Sequence, residues 1–169
     1  MDVYFVLDRS ASMTWPREAA DCTNVILETG ERFLDLGTDA ERAAGRRNCF
    51  QLFLQLVSRI VDLLQQQNPD LRWGTGFRAG LYAFWCSNEQ KHAEMEVFTP
   101  LTASRSAFAV ALAQAMTRTP DGGTCPGRTL ETVFSTLSMT NPRPYPWSVV
   151  VTFTDGVFYD MPRPQRAYD

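Results

Sequence analysis

The sequence predicts an α/β domain: a three-layer, doubly wound, mostly parallel sheet between helices, with one antiparallel edge strand. Three observations carry that expectation. Segments of strand and helix character follow one another as strand, helix, strand, strand, helix, helix, strand, and such alternation implies helices packed on both faces of a mostly parallel sheet. The runs at residues 3–7 and 147–153 are short and apolar, as strands buried on both faces are. Each stops at a polar cluster holding an aspartate, Asp8 in one case and Thr154-Asp155-Gly156 in the other. In open α/β sheets, ligands sit beyond the carboxyl ends of the strands.

Taken in order, "VYFVL" is the first strand. Residues 14–48 show no single period; "NVILETGERFL" within them suits a small hairpin turning at Gly30. The segment reads as a surface insertion. In "CFQLFLQLVSRIVDLLQQQ", Phe50, Phe53, Leu54, Val57, Ile60, Val61 and Leu64 recur at spacings of three and four, which predicts a well-covered helix. Asn68-Pro69-Asp70 ends it. "LRWGTGFRAGLYAFWC" predicts a strand, strongest over residues 80–85, with bends at its glycines. "HAEMEVFTPLT" alternates apolar and polar residues like an exposed edge strand. Residues 105–117 read as a helix with Ser104 as N-cap. "RTPDGGTCPG" is a loop by its Pro, Asp and Gly content. "RTLETVFSTLSM" is a helix that "NPRPYP" terminates, and "WSVVVTF" is the last strand, expected to be buried.

The chain has 169 residues, enough for one domain with a sizeable core. The net charge is -3 and no basic stripe emerges, which argues against a nucleic-acid partner. No apolar run approaches the roughly 18 residues a membrane span requires. The first strand begins by Val3 with no secretory leader before it, so a piece of a longer protein is expected, or else a cytosolic chain.

The cysteines are Cys22, Cys49, Cys86 and Cys125, with no CxxC pair and only one histidine, His92; that does not make a zinc site. Cys22 with Cys49, which bracket the odd segment, is the first pairing to expect. Cys125 could pair with Cys86, whose strand should end at the same rim. Four free thiols are the alternative.

Asp8, Ser10 and Ser12 leave the first strand, Thr124 sits in the "DGGTCPG" loop and Asp155 leaves the last strand. In a doubly wound sheet the first strand and the strand after the crossover are neighbours at the switch point, so these side chains are expected to converge at one rim. All offer oxygen and none offers nitrogen or sulfur. That selects a hard divalent cation, Mg²⁺ first, with Mn²⁺ or Ca²⁺ as alternatives. Hydroxyls are neutral ligands and leave the ion electrophilic. A carboxylate from outside would then complete its shell.

These motifs resemble the von Willebrand factor type A (VWA) family with its metal-ion-dependent adhesion site. The family's D-x-S-x-S appears as "DRSAS", its threonine loop as "GGT" and its T-D-G strand end as "VTFTDG". "DVYFVLDRSASM" looks most like the opening of anthrax toxin receptor and integrin inserted domains. The resemblance implies that Asp8, Ser10, Ser12, Thr124 and Asp155 are metal ligands and that the partner is a protein presenting Asp or Glu. It also implies an extracellular or cell-surface setting, with the cytoplasm as the alternative. Ala11 stands where glycine is common, and the family fold normally continues beyond the T-D-G strand. A partial domain is therefore expected over 1–169, with the insertion at about 14–48 and "WSVVVTF" as an uncovered edge.

Rival readings are an intracellular VWA scaffold in a protein assembly and a metal-assisted hydrolase. A phosphatase of the haloacid dehalogenase type needs a second acid where Ser10 stands. His92 lies by a loop, so a serine triad is poorly supported, and no P-loop or GxGxxG occurs. The expectation is a binding module and not an enzyme.

Overall fold

The computed structural model describes residues 1–14, 48–87, 92–139 and 147–154. Its centre is β1 (Asp2–Asp8), buried at every position. β1 lies between β2 (Arg78–Cys86) and β4 (Ser148–Phe153), parallel to both and in continuous register. β3 (Ala93–Thr102) pairs antiparallel with β2, so the sheet order is β3-β2-β1-β4. Side chains of a strand alternate between faces. Val3, Phe5 and Leu7 accordingly enter one core, and Tyr4 and Val6 enter another.

The first core is closed by two helices. α1 (Cys49–Gln67) brings Phe50, Leu54, Val57 and Val61, and α2 (Arg105–Met116) brings Phe108, Ala111 and Ala115. The second core is closed by α3 (Gly127–Met139), through Val133 with Leu130 and Leu137. The three layers are therefore helix, sheet, helix, as the element order predicts. α1 starts with a reciprocal cap: Asn48 accepts from the Gln51 amide, and Gln51 Oε1 accepts from the Asn48 amide. Two otherwise orphaned N–H groups are satisfied at once. Ser104 caps α2 as expected, accepting from the Ala107 amide at 3.2 Å.

β2 begins at Arg78, later than the whole apolar stretch suggests, because residues 71–77 form turns in which Gly74 adopts a positive φ of 88°. β3 is an edge strand, as its alternation predicts. Its register against β2 shifts twice, between Ala79 and Leu81 and between Leu81 and Tyr82. Pro100 lies within the first shift, a place where a missing N–H is tolerated.

β4 corrects an expectation. Its apolar run predicts a strand buried on both sides, yet every position is half-buried or exposed, and Val149 is 42% exposed. Among the described residues β4 is the other sheet edge, and no helix that would cover its flank is described there. The hairpin around Gly30, nearly all of the insertion at about 14–48, Cys22, Asp155 and the tail lie outside the described residues.

At the rim opposite Asp8, Arg78 grips Asp2 through two charge-assisted bonds, Nε to Oδ1 at 2.8 Å and a terminal guanidinium nitrogen to Oδ2 at 2.6 Å. Both carboxylate oxygens are thus held, the condition under which burying a charge is tolerable.

Tyr82 is buried beside Tyr4, ring centroids 6.2 Å apart. Burial first, and the neighbouring Tyr4 second, push its phenol from 10.0 up to about 12. The raised folded-state value means this contribution to stability is complete below pH 10 and is lost as pH rises through about 12. Chemical denaturation across that window should show a fall on the order of 2 kcal/mol. Tyr82→Phe should lack that share of the slope; an identical alkaline profile for the two proteins would refute the assignment.

Candidate metal centre

β1 delivers Asp8 to the carboxyl rim of the sheet with no exposed surface. A buried carboxylate is costly unless donors replace its water. The chain supplies them locally and from afar. The Ser10 amide donates to Asp8 Oδ1 at 2.8 Å, which turns the backbone sharply after the strand. Thr154 Oγ1 donates to Asp8 Oδ2 at 2.7 Å. The second contact follows from register: Leu7 pairs with Phe153, so the next residues of the two parallel strands stand side by side.

The turn runs into a short 3-10 helix (Ala11–Thr14), where the Met13 amide donates to the Ser10 carbonyl. It leaves Ser10 buried and Ser12 half-buried, their hydroxyl oxygens 3.0 Å apart. Asp8, Ser10 and Ser12 are thus gathered within five residues of chain. Ala11 is exposed, so its methyl group meets open space.

The threonine loop is brought to the same place by backbone pairing. The Asp121 amide donates to the Arg9 carbonyl and the Ala11 amide to the Gly122 carbonyl, both at 2.8 Å. Gly123 exchanges two bonds with Cys86 at the end of β2, at 2.8 and 3.2 Å. Gly122 has a positive φ of 72°, and a Cβ there would overlap the Cys86 carbonyl. Only glycine suits both demands. Thr124 follows, 4% exposed, and Cys125 after it is bonded to Cys86 with Cα atoms 5.1 Å apart. The chain-entropy argument gives such a bridge, closing a separation of 39 residues, about 4 kcal/mol. Cys49 is also disulfide-bonded; Cys22, its expected partner, lies outside the described residues.

Asp155, the fifth expected ligand, lies outside the described residues; its neighbour Thr154 reaches Asp8. In the sequence Thr154 stands out only as part of the strand's polar end. The signal that finds its role is that two apolar runs pairing in parallel end at matched positions, Leu7 and Phe153. A second group escaped sequence reading. The Arg9 guanidinium lies 4.0 Å over the Trp85 ring and bonds Glu96 at 2.6 Å, while Arg118 bonds the other Glu96 oxygen at 2.7 Å. This chain of charges ties the exit of β1 to β3 and to the residues after α2. No sequence spacing announces it, because its members lie on four separate segments of chain.

The donor set can be tested against a cation. Two oxygens at right angles, each about 2.1 Å from Mg²⁺, stand about 3.0 Å apart, which is the Ser10–Ser12 hydroxyl separation. At Ca²⁺ distances the pair would be wider. The same spacing also serves a hydrogen bond between the hydroxyls. Among the described residues no cluster of three or more His, Cys, Asp or Glu occurs, so a nitrogen- or sulfur-rich transition-metal site has no support there. His92 is exposed. Two surface grooves, one between β3 and α2 and one between α1 and α2, carry no acid or base in their linings.

No protein-family model matches the chain, and no curated protein matches it. Among solved structures, the crystal structure of the SpRpn10 VWA domain is similar, with a TM-score of 0.57 and 13% identity. The superposition covers 95% of this chain and 62% of that one, so the chain spans under two thirds of that domain. The likeness establishes a VWA-like α/β fold. It agrees with the mixed sheet, parallel but for one antiparallel strand.

Two substitutions test the construction of the rim. Thr154→Val keeps the shape but removes a donor to a buried carboxylate, and should cost about 1.5–3 kcal/mol in denaturant unfolding. Gly122→Ala should destabilise by about 1–3 kcal/mol through the left-handed backbone alone, with further loss from the Cys86 overlap. Wild-type unfolding midpoints in both variants would contradict the geometry.

Proposed function

We propose that this VWA-like domain is a metal-dependent protein-binding module whose cation is completed by an acidic residue of the partner. The observation that carries the reading is the polar turn at the end of the central strand: a buried Asp8 carboxylate that accepts from the Ser10 amide, followed by the Ser10 and Ser12 hydroxyls 3.0 Å apart. Thr124 and Asp155 complete the proposed ligand set. The Thr124 loop's pairing with residues 9–11 and Cys86 supports the first. The place of Thr154 against Asp8 supports the second.

Mg²⁺ is the proposed ion, with Mn²⁺ or Ca²⁺ as substitutes, because every donor is an oxygen and three are uncharged. The bound ion would supply a Lewis-acidic position for a partner carboxylate. The residues of this chain do the rest. Asp8 provides charge, held in orientation by Ser10 and Thr154. The serines and Thr124 would provide neutral oxygens that leave the cation's charge only partly neutralised. Binding, and not catalysis, is the proposed activity; the chain's one histidine, His92, is exposed and gives a serine triad no support.

An extracellular or cell-surface setting is proposed from the Cys86–Cys125 bridge and from the disulfide-bonded state of Cys49, since disulfides persist in oxidising compartments. No helix among the described residues is long and apolar enough to cross a membrane. The rival is a VWA scaffold that binds its partner without the ion.

Calorimetric titration separates the two. Mg²⁺ should bind the oxidised chain with one site and be removed by EDTA. Asp8→Ala and Asp155→Ala should each lower that affinity by at least about a hundredfold, as loss of a charged ligand and its hydrogen bonds would. With Mg²⁺ bound, a peptide carrying a single Glu should bind more tightly than its Gln counterpart. Peptide binding that survives chelation would favour the scaffold.

A further inference from the structure

We propose that the Cys86–Cys125 disulfide makes the oxygen site redox-dependent: it holds its divalent cation tightly while the bridge is closed and weakly once a dithiol has opened it. The inference rests on the metal reading above and adds a control to it. Its basis is the position of Thr124 between two different kinds of fastening. On the amino-terminal side, residues 121–123 are held by backbone bonds to Arg9, Ala11 and Cys86. On the carboxyl side, the next residue, Cys125, is covalently joined to the end of β2. Remove that bond, and the first regular structure beyond Thr124 is α3 at Gly127. Thr124 would then be restrained firmly from one side only.

A cation shared between the Thr124 loop and the Asp8 turn needs both at a fixed separation, and Mg²⁺ tolerates little departure from octahedral geometry. Loosening the loop adds an ordering cost to each binding event. Coupling between two sites is reciprocal, so the ion must also protect the bridge. The burial of the sulfurs gives that protection a route. Cys86 is 7% exposed and Cys125 1%, so a reductant reaches them when the loop opens, and an ion spanning the closed loop suppresses opening.

The chemistry is ordinary thiol–disulfide exchange. One thiolate of a dithiol attacks Cys86 Sγ, the more exposed residue of the pair. The S–S bond breaks, Cys125 leaves as a thiolate and takes up a proton, and a mixed disulfide remains. The second thiol of the reductant then attacks its own sulfur in that mixed disulfide. Cys86 is released as a thiol and the reductant becomes a cyclic disulfide. Two electrons and two protons have passed to the protein.

The test uses the full chain in its oxidised form. Calorimetry with MgCl₂ compares it with the double variant Cys86→Ser, Cys125→Ser, which leaves the bridge at Cys49 intact. The dissociation constant should rise by at least about fivefold. Separately, the wild-type chain is exposed to a dithiol with Mg²⁺ or with EDTA, and freed thiols are trapped by alkylation and assigned by mass. Trapping at Cys86 and Cys125 should slow by at least about fivefold in Mg²⁺, while trapping at Cys49 should not. If the variant fails to fold, this second arm decides alone. No Mg²⁺ binding by the oxidised chain would overturn the metal reading and this inference together. Tight binding by the oxidised chain, with trapping at Cys86 and Cys125 indifferent to Mg²⁺ or slowed equally at Cys49, would overturn the inference and leave the metal reading standing.

Discussion

Asp8, itself without exposed surface, ends a strand that is buried along its whole length, and the rest of the rim is arranged around the cost of that placement. A carboxylate so buried is tolerated only where donors converge on it. One donor comes from the turn that the carboxylate itself helps to form, at Ser10; another comes from the residue just past β4, Thr154, 146 positions away. The register of β1 with β4 is therefore more than a packing detail. A slip of one residue would flip every side chain of the strand to the other face and would take Thr154 from Asp8. Sheet, turn and polar cluster are solutions to one problem.

The threonine loop is fitted to that cluster by shape as well as by bonds. Gly122 comes so close to Cys86 that no larger residue fits, and the two backbones exchange hydrogen bonds one residue further on. β2 thus serves two ends. Its middle, through Leu81 and Phe84, belongs to the two cores, while its last residue anchors a loop arriving from beyond α2. The salt-bridged group of Arg9, Glu96 and Arg118 extends the same logic outwards to the edge strand. Arg9 occupies an unspecified position of the first motif, yet it is among the residues that hold the motif in place.

Much of the fold was legible because the relevant forces are local and periodic. The stripe of Phe50, Leu54, Val57 and Val61 can be read off as one face of α1, and the alternation in β3 as an edge. The order of elements implied the layers. The Cys86–Cys125 pairing followed from expecting a strand end and a loop at one rim. What failed was burial at β4. An apolar run reports what a strand would bury given neighbours, and Val149 has none on its outer side among the described residues. The cap at Asn48 and Gln51 was present as a spacing but competes with many equally short spacings. The gathering of Asp8, Ser10 and Ser12 was legible because a strand end and two alternate hydroxyls lie within a few residues. The Arg9 network was not, since a guanidinium's reach spans several elements and leaves no period behind.

The two borders of the sheet are unlike. Along β3 the ladder is broken twice, a proline withholds its N–H, and Glu94 and Glu96 put charge on the margin. Such a border repels a further strand. Along β4 the register is unbroken, no proline occurs, and valines occupy three successive positions. Among the described residues the sheet consequently has a polarity sideways as well as along its strands: one margin is irregular and charged, and the other is regular and apolar.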